Sequence, residues 1–434
     1  MERRNVLRGM AVAMAGSVAA GATVEAKISA AAKAGPQFVA APADGKFLLN
    51  APRAYSQLDQ IGVDGFIAIH PINVHYLANM PVSSRFRADY PAFAIVPRDP
   101  SFPTVLVTST AQAQDLLGSG RELPELITYA GADNWRDGLD AMSACTKAAP
   151  HGLQAEATPA KALAKALRLA GLEHGKVAVD DMRIAHALER VEFTGLRCVL
   201  GDNLIRRVRA VKTAPEVELM RTAALNNVAA AEATIRSLTV GMTAEEIERR
   251  FAAECLARGN TKTEFLAGLV HDGMPGGKIV AGRPFVIDAV SQFANYHGDF
   301  GRTVVIGEPG RDLIARDRAH RAGRDAVLEI VKPGVRFSKI ARVAREALIK
   351  AGMPEHMITV NPHTVGLEHG DNPARLDVPF NVPEDLVLEE NMVFTVDLPY
   401  FEQGWGGGHH EDLIRVTKTG YEALAGEGEP LIVV

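Results

Sequence analysis

Cysteine is scarce in this chain of 434 residues: there are three, Cys145, Cys198 and Cys255, far apart in sequence. That spacing excludes a disulfide framework and any Cys-x-x-Cys metal knuckle, and the three read as small buried apolar residues. Positive charge is not in excess either. Lys and Arg number 47 against 52 Asp and Glu, a formal net charge of −5, so the overall charge gives no reason to expect a nucleic-acid partner. Past the N-terminus no run of about 18 uninterrupted apolar residues occurs, so no membrane-spanning helix is expected there. What is present is the balance of a soluble globular protein, with 47% apolar and 23% charged residues, in a length that suits two or three domains.

The first 26 residues break that average. They begin with Arg3, Arg4 and Arg8, continue through a short run of Ala, Val, Met and Gly, and end among small residues. This is the layout of a secretory signal. The adjacent arginines followed by Asn5, Val6 and Leu7 resemble a twin-arginine export signal. The expectation is a signal peptide over 1–26 and a periplasmic protein with no membrane attachment after cleavage.

From about Pro42 to Asn203 short apolar runs, GFIAIHP (65–71), PAFAIVP (91–97) and TVLVTS (104–109), alternate with helical stretches such as Pro159–Ala170. Strands alternating with helices predict an α/β unit with a largely parallel sheet. A second regime begins near Leu204. Helices are predicted over Ala214–Leu238, Thr243–Ala257, Asp312–Ile330 and Phe337–Ala351, with Thr243 and Glu246 arranged as a capping box. Strand-like runs PFVIDAV, RTVVIGE, NMVFTVDLPYF and EDLIRVT lie between and after them. The pattern is a helix pair and a hairpin, stated twice. No low-complexity linker divides the halves, so the boundary falls at about residue 205, giving domains over 45–205 and 206–434.

The chemistry concentrates in the two hairpins. Asp288 ends one apolar run and Asp299 begins the next, and a turn near Phe293–Asn295 brings them beside each other across the strands. Asp is a poor strand former and adjacent carboxylates repel, so the pair needs a cation, or Arg302, to neutralise it. The second hairpin repeats the device with Asp397 and Glu411, joined through the Gly-rich segment Gly404–Gly408. His363 and His369 lie between the hairpins in PHTVGLEHGDNP. Imidazole plus four carboxylates suits a pair of divalent transition metals, Mn, Fe, Co or Zn. Set against this, each acidic pair alone could be a salt bridge; two such hairpins together favour a dinuclear metal site. Tyr400 and Trp405 read equally well as pocket lining or hairpin packing, and Arg85 and Arg87 read as a solvated loop.

The segments IDAVSQFANYHGDFGRT, PHTVGLEH and MVFTVDLPYF…HHEDLIRVT resemble the three signature segments of the pita-bread metallohydrolases, the superfamily of aminopeptidase P, prolidase and creatinase. The lead-in LIRRVRAVKTAPEVELMR fits the same pattern, and NVHYLANMP (73–81) resembles a stretch of the N-terminal creatinase-type domain. The resemblance implies an α/β N-terminal domain followed by an α+β pita-bread catalytic domain, assembled as a homodimer. It implies two divalent metal ions. Asp288 would chelate one, His363 and Asp397 the other, and Asp299 and Glu411 would bridge both. It also implies catalytic roles for Glu411 as proton acceptor and for His271 and His369 on the substrate carbonyl, with Arg302, Thr303 and His409 orienting the ligands.

The expected function is a metal-dependent hydrolase resembling Xaa-Pro peptidases, acting on a short peptide. The same fold leaves open a lyase or amidine hydrolase acting on a small zwitterion, such as dimethylsulfoniopropionate or creatine, and an inactive binding protein. Three departures from the family pattern stand out. Asp397 replaces the usual Glu, the spacing from His363 to His369 is one residue shorter, and Asp288 is followed by Ala289-Val290 instead of x-Gly. These changes bear on the substrate side of the site more than on metal binding.

Overall fold

The structure is a computed structural model and describes residues 47–82, 91–117, 119–129, 155–269, 273–374, 383–425 and 428–434. The expected signal segment 1–26, the candidate catalytic His271, and Arg85 and Arg87 lie outside the described residues. The chain forms two compact units, residues 42–209 and residues 210–434. No helix among the described residues is long and apolar enough to cross a membrane.

The first unit contains helices α1 (Ala51–Ile61), α2 (Pro71–Ala78), α3 (Thr110–Leu117), α4 (Pro159–Leu169), α5 (Arg183–Glu189) and α6 (Asp202–Ala210). Its strands are β1 (Gly65–Ala68), β2 (Phe93–Pro97), β3 (Val105–Ser109), β4 (Glu125–Tyr129), β5 (Gly175–Val179) and β6 (Leu196–Leu200). They form one sheet in the order β4-β3-β2-β1-β5-β6. Three pairings are parallel and the two antiparallel ones both involve β2, so five of the six strands run the same way and the sheet is largely parallel as expected, with β2 reversed. The few residues between β2 and β3 are too short for a crossover helix, and the chain must turn straight back. Helix α4 shows why this unit folds as it does. Thr158 caps its N-terminus, Pro159 opens it, and Ala162, Leu163, Ala166 and Leu167 bury one stripe among Val105, Val107 and Ile127.

The second unit states its motif twice. Helices α7 (Ala214–Arg236) and α8 (Ala244–Ala257) precede β7 (Thr261–Ala267), β8 (Phe285–Phe293) and β9 (Tyr296–Val305). Helices α9 (Arg311–Leu328) and α10 (Phe337–Lys350) precede β10 (Val393–Thr395), β11 (Leu398–Glu402) and β12 (Gly406–Val416), followed by β13 (Tyr421–Ala423) and β14 (Leu431–Val433). Capping boxes open both α7 (Thr213 with Glu216) and α8 (Thr243 with Glu246). The β8–β9 turn is Ala294–Asn295, both at positive φ (48° and 71°), a two-residue connection whose twist matches the strands it joins.

The sheet runs β10-β12-β9-β8-β7, so β12 pairs with β9 and fuses the two hairpins. Helix α7 presses on β9 so closely that a Cβ at Gly298 would lie 2.6 Å from the Ala223 carbonyl oxygen. On the other half Val327, Ile340, Ala344 and Leu348 of α9 and α10 pack against Phe394, Ile414 and Val416.

Two local expectations are corrected here. The run NMVFTVDLPYF is not one strand: β10 stops at Thr395 and β11 starts at Leu398, leaving Val396 and Asp397 at a corner. The Asp397 carbonyl accepts from Asn361 N–H (3.0 Å), which draws it out of the ladder and toward the His363 segment. Arg302 does not neutralise Asp288 or Asp299. Strand alternation sends it to the opposite face, where it donates to Asp412 (2.6 Å) and to the Glu411 carbonyl (2.7 Å), while His410 contacts the other Asp412 oxygen at 2.9 Å. Burial alone would raise the Asp412 pKa, but Arg302 and His410 hold it well below the usual carboxylate range. This triad fastens β9 to β12 at the register that defines the site. Asp412→Ala leaves a buried guanidinium unpaired and is expected to cost about 3–5 kcal/mol, measurable by denaturant titration; a loss under 1 kcal/mol would contradict the assigned role.

Candidate metal centre

Strand register builds the centre. Asp288 in β8 lies opposite Gly301 in β9, and Gly301 lies opposite Glu411 in β12. Asp299, two residues before Gly301 on the same face, lies opposite Val290. Asp288 and Asp299 are therefore diagonal neighbours, not a directly opposed pair, and Asp288 and Glu411 flank a strand position that has no side chain. Gly301 is bare for a reason: a Cβ there would come within 2.3 Å of the His409 ring.

Asp397 and His363 come in from the edge. Thr395 N–H donates to the His363 carbonyl (2.9 Å), and Thr364 pairs with Phe394, stitching the His363 loop along β10. Asn372 Oδ1 accepts from both Thr364 N–H and its hydroxyl at 2.8 Å. The Gly366 carbonyl accepts from His297 N–H, and the His297 ring nitrogen lies 3.0 Å from the same oxygen. Asn361 Nδ2 donates to Asp397 Oδ2 at 3.3 Å.

The result is one cluster. His363 Nε2 lies 3.6 Å from Glu411 Oε1 and 3.8 Å from Asp299 Oδ2. His369 Nε2 lies 3.1 Å from Asp299 Oδ2, and His409 Nε2 lies 2.8 Å from Asp397 Oδ1 and 3.5 Å from Glu411 Oε2. Three overlapping groups each place potential ligand atoms within 4.8 Å of one another: Asp299, His363 and His369; Asp288, His409 and Glu411; His363, Asp397 and Glu411. The structure thus brings together Asp288, Asp299, His363, His369, Asp397 and Glu411 from the sequence reading. His409, Arg302 and Thr303 differ from one another: His409 faces the cluster, Arg302 turns away, and Thr303 receives a hydrogen bond from His409 N–H at 2.8 Å.

The donor set fits divalent cations. Asp288 Oδ1 and Asp299 Oδ1 are buried without a hydrogen-bond partner, an expensive state for a carboxylate oxygen unless a cation meets it. Burial, reinforced by Asp299, Asp397 and Asp288, raises the Glu411 pKa well above the carboxylate range. Burial also pushes Asp288 up to about 6, against the pull of His409 and with the push of Asp299. Asp299 moves the other way: burial opposes ionisation, but the His369 hydrogen bond and the neighbouring imidazoles hold its pKa low. Burial works against the charged form of His369, yet Asp299, Asp288 and Glu264 outweigh it and lift the ring to about 9. Bound divalent cations would invert this balance. Oxygen and imidazole nitrogen without thiolate suit Mn, Fe, Co or Zn.

Sequence reasoning overlooked His297, Asn361 and Asn372, which hold the His363 loop. His297 was findable, since it stands two residues from Asp299 and so shares its strand face. Tyr400 and Trp405 pack the hairpin: Arg316 lies 3.8 Å over the Trp405 ring and bonds the Tyr400 hydroxyl. Cys255 is buried and Cys198 half-buried, both free.

Comparison with known proteins adds the following. Residues 218–418 match the profile of metallopeptidase family M24. The chain is 26% identical over 347 residues to a Mycobacterium tuberculosis protein named "Probable dipeptidase PepE", covering 76% of this chain and 85% of that one. It is 26% identical over 231 residues to the Xaa-Pro dipeptidase of Pyrococcus furiosus, covering 51% and 65%. Among solved structures, an Xaa-Pro dipeptidase from Bacillus anthracis superposes with a TM-score of 0.67 at 19% identity, over 88% of this chain and 99% of that one. Dipeptidase PepE from Mycobacterium ulcerans gives 0.64 at 22% identity, over 88% and 96%. The fold shared with these structures is the two-domain pita-bread fold.

Two outcomes are expected. Gly301→Ala forces its new Cβ against the His409 ring; as overpacking it should cost about 1–3 kcal/mol and weaken metal binding, read by thermal melting and elemental analysis. Unchanged metal content and stability would rule out the close approach. Second, Asp288 keeps its proton to a higher pH when folded than when unfolded, so between about pH 4 and about pH 6 the metal-free native state binds more protons, and its stability from this group falls as pH rises. Metal competes with that proton and with the one on Glu411. The gain in Tm from added divalent metal over chelator-treated protein should therefore grow across this range; a pH-independent gain would contradict it.

Proposed function

We propose that the chain, whose residues 218–418 match metallopeptidase family M24, is a dinuclear-metal peptidase of the pita-bread creatinase/aminopeptidase P superfamily that hydrolyses short peptides at an Xaa-Pro bond, in line with its likeness to Xaa-Pro dipeptidases. The observation that carries this reading is the convergence of Asp288, Asp299, His363, Asp397 and Glu411 in one cluster with carboxylate oxygens left unpaired. Those five side chains would hold the ions. Two divalent cations supply Lewis acidity and bring the pKa of water into the neutral range.

The chain's own groups supply the rest. Glu411, nearly fully buried among three other carboxylates, is placed to accept the proton of the attacking water at its carboxylate. His369 is 35% exposed against 12% or less for His363, Asp299 and Glu411, so it stands on the solvent side of the cluster, where it can contact the scissile carbonyl. His271 is assigned the same kind of role from the resemblance alone. Relatives named dipeptidase and Xaa-Pro dipeptidase support a dipeptide-sized substrate. Residues 1–26 support action in the periplasm after twin-arginine export, and the creatinase-type resemblance supports a homodimer.

Protein purified without chelators should contain about two transition-metal ions per chain and cleave Xaa-Pro dipeptides or Xaa-Pro-Xaa tripeptides. Asp299→Ala is expected to abolish both metal and activity while leaving a cooperative melt. Turnover of dimethylsulfoniopropionate or creatine with none of any proline peptide would overturn the peptidase assignment.

A further inference from the structure

The position usually filled by Glu holds Asp397, one methylene shorter, at the corner between β10 and β11. The space that the shorter side chain leaves is not empty. It is met by His409, which precedes Glu411 by two residues in β12 and so projects from the same face. His409 is 2% exposed. Its Nε2 sits between Asp397 Oδ1 (2.8 Å) and Glu411 Oε2 (3.5 Å), and its ring lies over the side-chain-free Gly301. Asp288, His409 and Glu411 offer ligand atoms within 4.8 Å of one another, the same limit that the two groups containing His363 meet. The buried Nδ1 of His409 has no hydrogen-bond partner, so the ring is held by its Nε2 side, which faces the carboxylates.

From this geometry we infer that His409 is itself a metal ligand, a further donor that enters from β12 beside Asp397. The inference rests on the two-metal reading above. It changes the coordination: one imidazole enters from the His363 loop and a second from the strand opposite, each on a different triangle of the cluster. A neutral donor adds a bond without adding charge, so four carboxylates still balance two divalent cations. It also shifts preference. Imidazole suits Zn, Fe and Ni, whereas carboxylate-rich sites suit Mn and Mg, so this chain should favour zinc or iron over manganese more than an all-carboxylate site with one histidine would. The competing role is a positioning one, in which His409 Nε2 only donates a hydrogen bond to Asp397. Substitution by Gln separates the two, because Gln can keep that hydrogen bond but supplies no imidazole.

The test is X-ray absorption spectroscopy of the zinc-loaded full chain, counting imidazole donors. His369 is removed as a confounding ring by working in His369→Gln, and zinc content is measured in every sample. Two imidazoles per chain are expected in His369→Gln and one in the double variant His369→Gln/His409→Gln, with a narrower zinc-over-manganese preference in the latter. One imidazole in both variants, at full zinc content, would overturn the role of His409 and leave the two-metal reading intact. If the double variant does not fold, the count in His369→Gln alone decides, since a single imidazole there contradicts the inference. Absence of bound zinc from all samples, the unsubstituted chain included, would instead sink the metal reading on which it rests.

Discussion

The antiparallel pairing of β9 with β12 is the joint on which the site depends. Each hairpin alone presents one acidic pair; the pairing of His410, Glu411 and Asp412 with Arg302, Gly301 and Phe300 brings both pairs into one cluster. A slip of one residue would turn every side chain to the other face. The register is fixed from behind, by the buried Arg302–Asp412–His410 triad, with Arg302 also holding the Glu411 carbonyl. Adjacent residues on the same strands thus do opposite jobs. Odd-numbered Asp299, Gly301, His409 and Glu411 face the cluster, while Arg302, His410 and Asp412 lock the strands together.

The electrostatics of the front face follow from burial. Four carboxylates share a buried space, and among the described residues none pairs with a Lys or Arg side chain. Histidines are the basic partners there. Proton affinity is therefore spread unevenly, with Glu411 and Asp288 raised and Asp299 lowered by its contact with His369. Such a set repels itself at neutral pH and is relieved by protons or by metal ions. The match of residues 218–418 to metallopeptidase family M24 and the unpaired carboxylate oxygens point to metal.

Much of this could be read from the letters, for identifiable reasons. Helices with caps and long periodic stretches, such as Ala214–Arg236 and Ala244–Ala257, are local objects and were found close to their ends. The acidic residues stood out because Asp and Glu rarely occupy strand centres. What escaped depends on partners distant in sequence. The corner at Asp397 has its carbonyl bonded to Asn361, and β2 pairs antiparallel with β3 because the loop that joins them is short. Alternation along β9 already separates Arg302 from Asp299, three residues apart, but its partner Asp412 is visible only once β9 and β12 are in register. The shared face of His409 and Glu411 is likewise readable from their two-residue separation, whereas the closeness of His409 to Asp397 depends on the corner before β11 and is not.

The most direct measurement is a crystal structure of the metal-loaded protein with anomalous scattering collected at the metal edge. Two peaks per chain are expected, both within the cluster formed by Asp288, Asp299, His363, Asp397, His409 and Glu411. No peak there after loading, or peaks only at surface residues away from the β8–β9–β12 face, would contradict the two-metal reading.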